Sequence, residues 1–136
     1  MIAKIFTPAF SGIDVIKVSV EVMISSGLPK FLIVGLPDKA VSEAKERIQS
    51  AFSAMGFSLP AKRIIVNLAP ADVVKEGSHF DLPIAMAILT ALGVIPSEEI
   101  IRYMILGELG LYGKTCKWNF ACCCQCKCNG FGYYLP

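Results

Sequence analysis

The stretch KFLIVGLPDKAVSEAKERIQSAFSAMG, residues 30–56, changes its hydrophobic period partway along. KFLIVGL is apolar after its lysine, which predicts a short strand at the centre of a sheet. Leu36-Pro37 ends that run. From Asp38 the residues Val41, Ala44, Ile48, Ala51, Phe52 and Met55 recur every three or four positions. Lys39, Glu43, Lys45, Glu46 and Arg47 fall largely elsewhere, so the spacing predicts one amphipathic helix. Asp38 can cap its start, and Gly56 can end it in a left-handed conformation.

Upstream, residues 3–8 and 13–24 are rich in valine and isoleucine. In the second segment Val15, Ile16, Val18, Val20, Val22 and Ile24 nearly alternate with Asp14, Lys17, Ser19 and Glu21, the pattern of a half-buried antiparallel strand. SSGLP breaks it. Downstream, RIIVNLA reads as a buried strand, PADVVKEGSH as a loop, and Asp81 to Leu92 as an apolar helix with Pro83 in its first turn. PSEEIIRYM then predicts a short capped helix and MILGEL another strand. The order β-β-β-α-β-loop-α-α-β joins an antiparallel start to later crossovers. An α+β fold follows, a mixed sheet with helices packed on one face.

The 136 residues suit one compact domain, and 54% hydrophobic with 18% charged residues suffice for a core without disulfides. A net charge of +2 gives no global field toward nucleic acid or anionic membrane, so any basic site must be local. MIAKIFTPAFSGIDV has neither the apolar core nor the cleavage site of a secretory signal, which predicts a cytoplasmic protein. The run from Leu82 to Ile95 falls short of the roughly 20 residues that cross a bilayer. No membrane partner is expected.

Within NLAPADVVKEGSHFDLPIA, two prolines and a helix start at Asp81 make a loop that presents Lys75, Glu76, Ser78, His79 and Asp81 together. Such a cluster at a helix N-terminus suits anion binding or nucleophile chemistry. The plainer reading is that Ser78 or Asp81 caps the helix and His79 packs nearby. Lys62 and Arg63, before RIIVNLA, are further candidates for partner or DNA contact, against a role in solvating the strand's start.

All six cysteines and the single tryptophan lie in GKTCKWNFACCCQCKCNGF, residues 113–131. A phosphate loop needs Gly, four residues, then Gly-Lys-Ser/Thr, but Glu108 stands where the first glycine should, so no ATP site is expected here. Cys122, Cys123, Cys126 and Cys128 could supply thiolates to a metal, the basis of a metal-binding alternative. Structural zinc sites pair two separated knuckles, however, and here there is one crowded patch. A disulfide framework fits poorly in a chain without an export signal.

VGLPD, NLAPAD, KEGSHFDLP and GEL, in this order between residues 34 and 109, resemble the N-terminal domain of the magnesium-chelatase-like AAA+ ATPases of the YifB/ComM family. The resemblance runs from residue 1 to about residue 113. It implies a ribosomal protein S5 domain 2-like fold, shared with the Lon protease domain and incomplete here at its C-terminus. It further implies a cytoplasmic domain ahead of an ATPase module, in a hexameric motor for DNA branch migration during transformation or recombination. ATP and magnesium would belong to that motor alone, and no cofactor to residues 1–136. The implied partners are the chain's own AAA+ module, hexamer neighbours and DNA. KEGSHFD aligns roughly with Lon's KDGPSAG loop, with His79 near the serine's position, Ser78 one residue away and no lysine in register. The resemblance therefore implies a non-catalytic domain, with a degenerate Lon-like serine peptidase using Ser78 as the alternative.

After GELGLYG the family pattern continues approximately as PV-G-LP and an alanine-rich helix, whereas this chain continues KTCKWNFACCC. Trp118 followed by an asparagine codon reads one base later as glycine, where the family has one. Residues 1–114 are accordingly expected to be the domain and residues 115–136 an out-of-frame translation.

Overall fold

The computed structural model describes residues 1–111 and the backbone of residues 132–134. Strands β1 (Ile2–Ser11) and β2 (Asp14–Ser25) form a long antiparallel hairpin in which Ser11 faces Asp14 across a turn at Gly12. Gly12 takes a φ of 62°, a left-handed value that costs glycine little. β3 (Lys30–Val34) runs parallel to β4 (Arg63–Ala69), which is antiparallel to β2. β5 (Tyr103–Ile105) lies parallel to β1, and a short β6 (Gly132–Tyr134) lies parallel to β5. The order across the mixed sheet is β3-β4-β2-β1-β5-β6.

The alternation read in the sequence sorts the two faces. Ala3, Ile5 and Ala9 of β1, Val18, Val20 and Val22 of β2, and Ile64, Val66 and Leu68 of β4 are all buried on one face. Against that face lie α2 (Ala44–Ala54) and α3 (Asp81–Ala91), with α3 across β1 and β2 and touching α2. Each fully buried valine or isoleucine contributes about 1.5–3 kcal/mol. DLPIAMAILTA is apolar on every side because α3 packs on β1 and β2 and beside α2, and Thr90 satisfies its hydroxyl on the Met86 carbonyl at 2.8 Å.

Four expectations are corrected. Among the described residues KFLIVGL forms an edge strand rather than a central one, because β4 lies between it and β2. The helix expected from Asp38 to Gly56 is two: α1 (Lys39–Ser42) and α2, parted at Glu43. Arg47 Nη2 donates to the Ala40 carbonyl at 2.7 Å, the acceptor that Ala44 N–H would use in a continuous helix. Asp38 does cap α1, accepting Val41 N–H at 2.8 Å, and Gly56 follows α2 with a φ of 74°. PSEEIIRYM gives only a four-residue α4 (Ser97–Ile100) without a side-chain cap, and of MILGEL only Met104 and Ile105 enter the strand, β5. Cys122, Cys123, Cys126, Cys128 and the rest of the cysteine patch lie outside the described residues.

Candidate functional site: a polar knot around Lys75

The knot begins where β3 ends. Gly35 has a φ of 103°, and a Cβ there would stand 2.2 Å from the Leu68 carbonyl oxygen of β4. Only glycine allows so close a pass of two backbones. The chain then doubles back against the loop after β4. Lys75 N–H donates to the Leu36 carbonyl at 3.0 Å and Asp38 N–H to the Lys75 carbonyl at 2.9 Å, with Pro37 bridging to Lys75.

Lys75 is fully buried. Its ammonium donates to the Gly35 carbonyl at 2.8 Å and to the Pro70 carbonyl. Desolvation pushes the amine below its ordinary pKa, with the Asp72 carboxylate opposing. Asp38 completes this side: besides capping α1, its Oδ2 accepts Gly77 N–H at 3.4 Å.

Ser78–Phe80 form one 3₁₀ turn leading into α3, yet the side chains at its end diverge. Ser78, half-buried, donates its hydroxyl to Glu108 Oε2 at 2.8 Å. His79 is buried between Phe80 and Phe10, with ring centroids 4.3 and 5.3 Å away, and its Nε2 lies 2.7 Å from the Pro8 carbonyl. A carbonyl only accepts, so Nε2 carries the proton. Burial lowers the His79 pKa against the pull of the Pro8 carbonyl and Asp38, which favours the neutral ring.

Asp81 is wholly buried and accepts two bonds from Arg47, Nε at 2.5 Å and Nη2 at 2.9 Å, plus Leu109 N–H at 3.2 Å. Burial pushes its carboxyl up, while the guanidinium and the Leu109 amide pull the other way. The two-pronged bond needs a carboxylate; it keeps the pair ionised and holds Arg47 above its ordinary value. GEL is stapled to the same turn, Gly107 N–H donating to the His79 carbonyl and Leu82 N–H to the Gly107 carbonyl, both at 3.0 Å.

The four motifs that carry the family resemblance are thus the segments tied together here. The candidate residues meet as neighbours, each with its own partner. Lys75 bonds Gly35 and Pro70, Ser78 bonds Glu108, His79 bonds Pro8 and Asp81 bonds Arg47. A nucleophile and its base must hydrogen-bond each other, and among the described residues neither Lys75 nor His79 is seen to bond Ser78. Neither Ser78 nor Asp81 caps α3 through its side chain, contrary to the plainer reading of the loop. Lys75 and His79, expected at a partner or DNA surface, are buried instead, since their polar atoms satisfy backbone carbonyls that would otherwise be orphaned. Arg63 is exposed at the start of β4 and Lys62 half-buried beside it.

Arg47, Glu108 and Gly35 were not singled out by sequence as site residues. Their signal was indirect: a lone aspartate opening an all-apolar helix needs a cation somewhere. Among the described residues no group of three histidine, cysteine, aspartate or glutamate side chains could hold a metal.

The family model for subunit ChlI of Mg-chelatase matches residues 20–131. The YifB protein of Escherichia coli is 45% identical over 109 residues, 80% of this chain and 22% of that protein. The competence protein ComM of Haemophilus influenzae is 44% identical over 113 residues, 83% of this chain and 22% of that one. A Mycobacterium tuberculosis protein is 38% identical over 114 residues, 84% and 23% of the respective chains. The chain therefore spans about a fifth of the length of the curated relatives it matches.

Proposed function

Because this chain belongs to the Mg-chelatase ChlI family and, within it, to the YifB/ComM group, we propose that it is a non-catalytic N-terminal domain of a Mg-chelatase-like AAA+ ATPase. On this reading the domain has the ribosomal protein S5 domain 2-like fold, is cytoplasmic, and supports assembly or DNA engagement of a motor for branch migration in transformation or recombination. ATP and magnesium act in the motor. The observation that carries the reading is that the Lys75 ammonium, the Ser78 hydroxyl, His79 Nε2 and the Asp81 carboxylate are each engaged within the domain. A loop bound this way holds a shape; Lys75 and His79, the bases expected beside Ser78, are turned to backbone carbonyls instead.

Cations outside the knot are left for DNA, and Lys62, half-buried just before β4, is the one this reading assigns to it. In the full-length protein, Ser78→Ala should leave ATP-driven branch migration unchanged, while deletion of residues 1–111 should abolish hexamer formation. Lys62→Ala should weaken DNA binding and lower the salt slope by about one. Labelling by a fluorophosphonate probe that vanishes in Ser78→Ala would overturn the non-catalytic reading and restore the Lon-like peptidase.

A further inference from the structure

Among the described residues β4 is the only strand paired with β3, so the outer edge of β3 is open. Lys30 N–H donates to the Lys62 carbonyl at 3.5 Å, which sets the phase of the parallel ladder. In such a ladder each residue turns both of its backbone groups to one side, so Lys30, Leu32 and Val34 face β4 while Phe31 and Ile33 face away. The N–H and C=O groups of those two residues line the edge, a template for a further strand. Beside it, toward α2, runs a groove of about 170 Å³ with Phe31, Leu59 and Ile64 as its apolar floor and Pro60 and Gln49 on its rim. Lys30 and Arg63, both exposed, are registered neighbours where the two strands begin. Like charges set side by side oppose each other, and Ser25, across from Arg63 on β2, is neutral. Among the described residues neither cation is seen in an ion pair.

We infer that the β3 edge takes an extended acidic segment of a partner polypeptide as an additional strand. The outward carbonyls of Phe31 and Ile33 need donors, and a phosphate backbone has none, whereas a peptide supplies donors and acceptors in alternation. The groove takes one apolar side chain of the incoming segment. Antiparallel pairing is the stronger kind, and it brings the C-terminal end of that segment to Lys30. Aspartate or glutamate there makes charge-assisted bonds to Lys30 and Arg63 and relieves their mutual repulsion. The main chain gives affinity, and the groove and the two cations give specificity. The inference goes beyond the DNA reading of the domain and does not use Lys62.

Amide chemical shifts and hydrogen exchange of the 136-residue chain test this, with the peptide acetyl-Thr-Val-Leu-Val-Glu-Asp-amide as probe. In the free chain the Phe31 and Ile33 amides should exchange faster than that of Leu32, which β4 holds. The peptide should shift both amides and slow their exchange, with half-saturation on the order of 100 µM. N-methylation of alternate peptide residues should abolish binding in one phase and leave it in the other, since only one phase faces β3. Ile33→Pro removes an outward donor and no bond to β4, and it should also abolish binding. Lys30→Glu leaves the edge intact and serves where Ile33→Pro fails to fold. It should weaken the acidic peptide about tenfold and favour a probe with two lysines in place of the acids. Unmoved Phe31 and Ile33 amides at about 1 mM peptide, equal loss in both methylation phases, or unchanged affinity in Lys30→Glu would overturn the inference. So would an oligothymidylate that protects these two amides where the peptide does not. Lys62 and Ser78 are untouched in every variant, so the outcome is independent of whether Lys62 holds DNA or Ser78 reacts.

Discussion

Lys75 donates its ammonium to two backbone carbonyls from segments far apart in the chain, Gly35 and Pro70, so it fixes the path of both. Lys75→Met keeps the bulk and removes the donors, leaving two buried acceptors unpaired at about 1–3 kcal/mol each. Part of that is offset because a buried charge disappears. We expect a loss of about 2–4 kcal/mol in a urea titration; an unchanged midpoint would show that Lys75 is not what ties the knot. His79 sets a pH dependence. Its pKa in the folded chain lies below the ordinary 6.5 because it is desolvated. Between that ordinary value and the lower folded one, the unfolded chain binds a proton that the folded chain does not. The His79 contribution is complete above the ordinary value and is lost as pH falls through this window. Melting temperature should drop on acidification below about pH 6.5, and His79→Gln should flatten that part of the profile. The sequence grouped these residues in one loop and left open whether they faced a partner or packed against the helix. What it lacked was the identity of their acceptors, main-chain carbonyls that no side-chain pattern advertises.

At the scale of elements, period alone separated strands from helices. The alternation in β2 and the apolar run in β4 marked the buried face with no need of their neighbours in the sheet. The boundaries that moved did so for tertiary reasons: α1 and α2 are parted where Arg47 takes the Ala40 carbonyl, and the strand expected to run through GEL stops at Ile105. GEL then turns to bind the start of α3. The β3–β4 pair depends on Gly35, whose φ of 103° and 2.2 Å Cβ clearance from the Leu68 oxygen forbid a side chain. Gly35→Ala should cost more than about 3 kcal/mol, since both the conformation and a backbone clash must be relieved. A melting temperature equal to that of the parent chain would show that β3 can shift without penalty.

Across the whole molecule, the Arg47–Asp81 pair bolts α2 to α3, and Leu109 adds the segment after β5 to the same carboxylate. A net charge of +2 conceals an uneven distribution: Lys4, Lys17, Lys30 and Arg63 share the open sheet face with Glu21. Only the strand registers make that asymmetry visible. The sequence by itself determined the elements, the buried face and the family, because periodicity and motifs are local and survive without knowledge of the partner. Only the tertiary structure decided that β3 is an edge, that Lys75 and His79 are internal, and that Asp81 answers to Arg47. The reason is the reach of each bond: Lys75 finds Gly35 across 40 residues, Asp81 finds Arg47 across 34 and His79 finds Pro8 across 71. The environment of a polar side chain is set by whichever distant segment folding brings beside it.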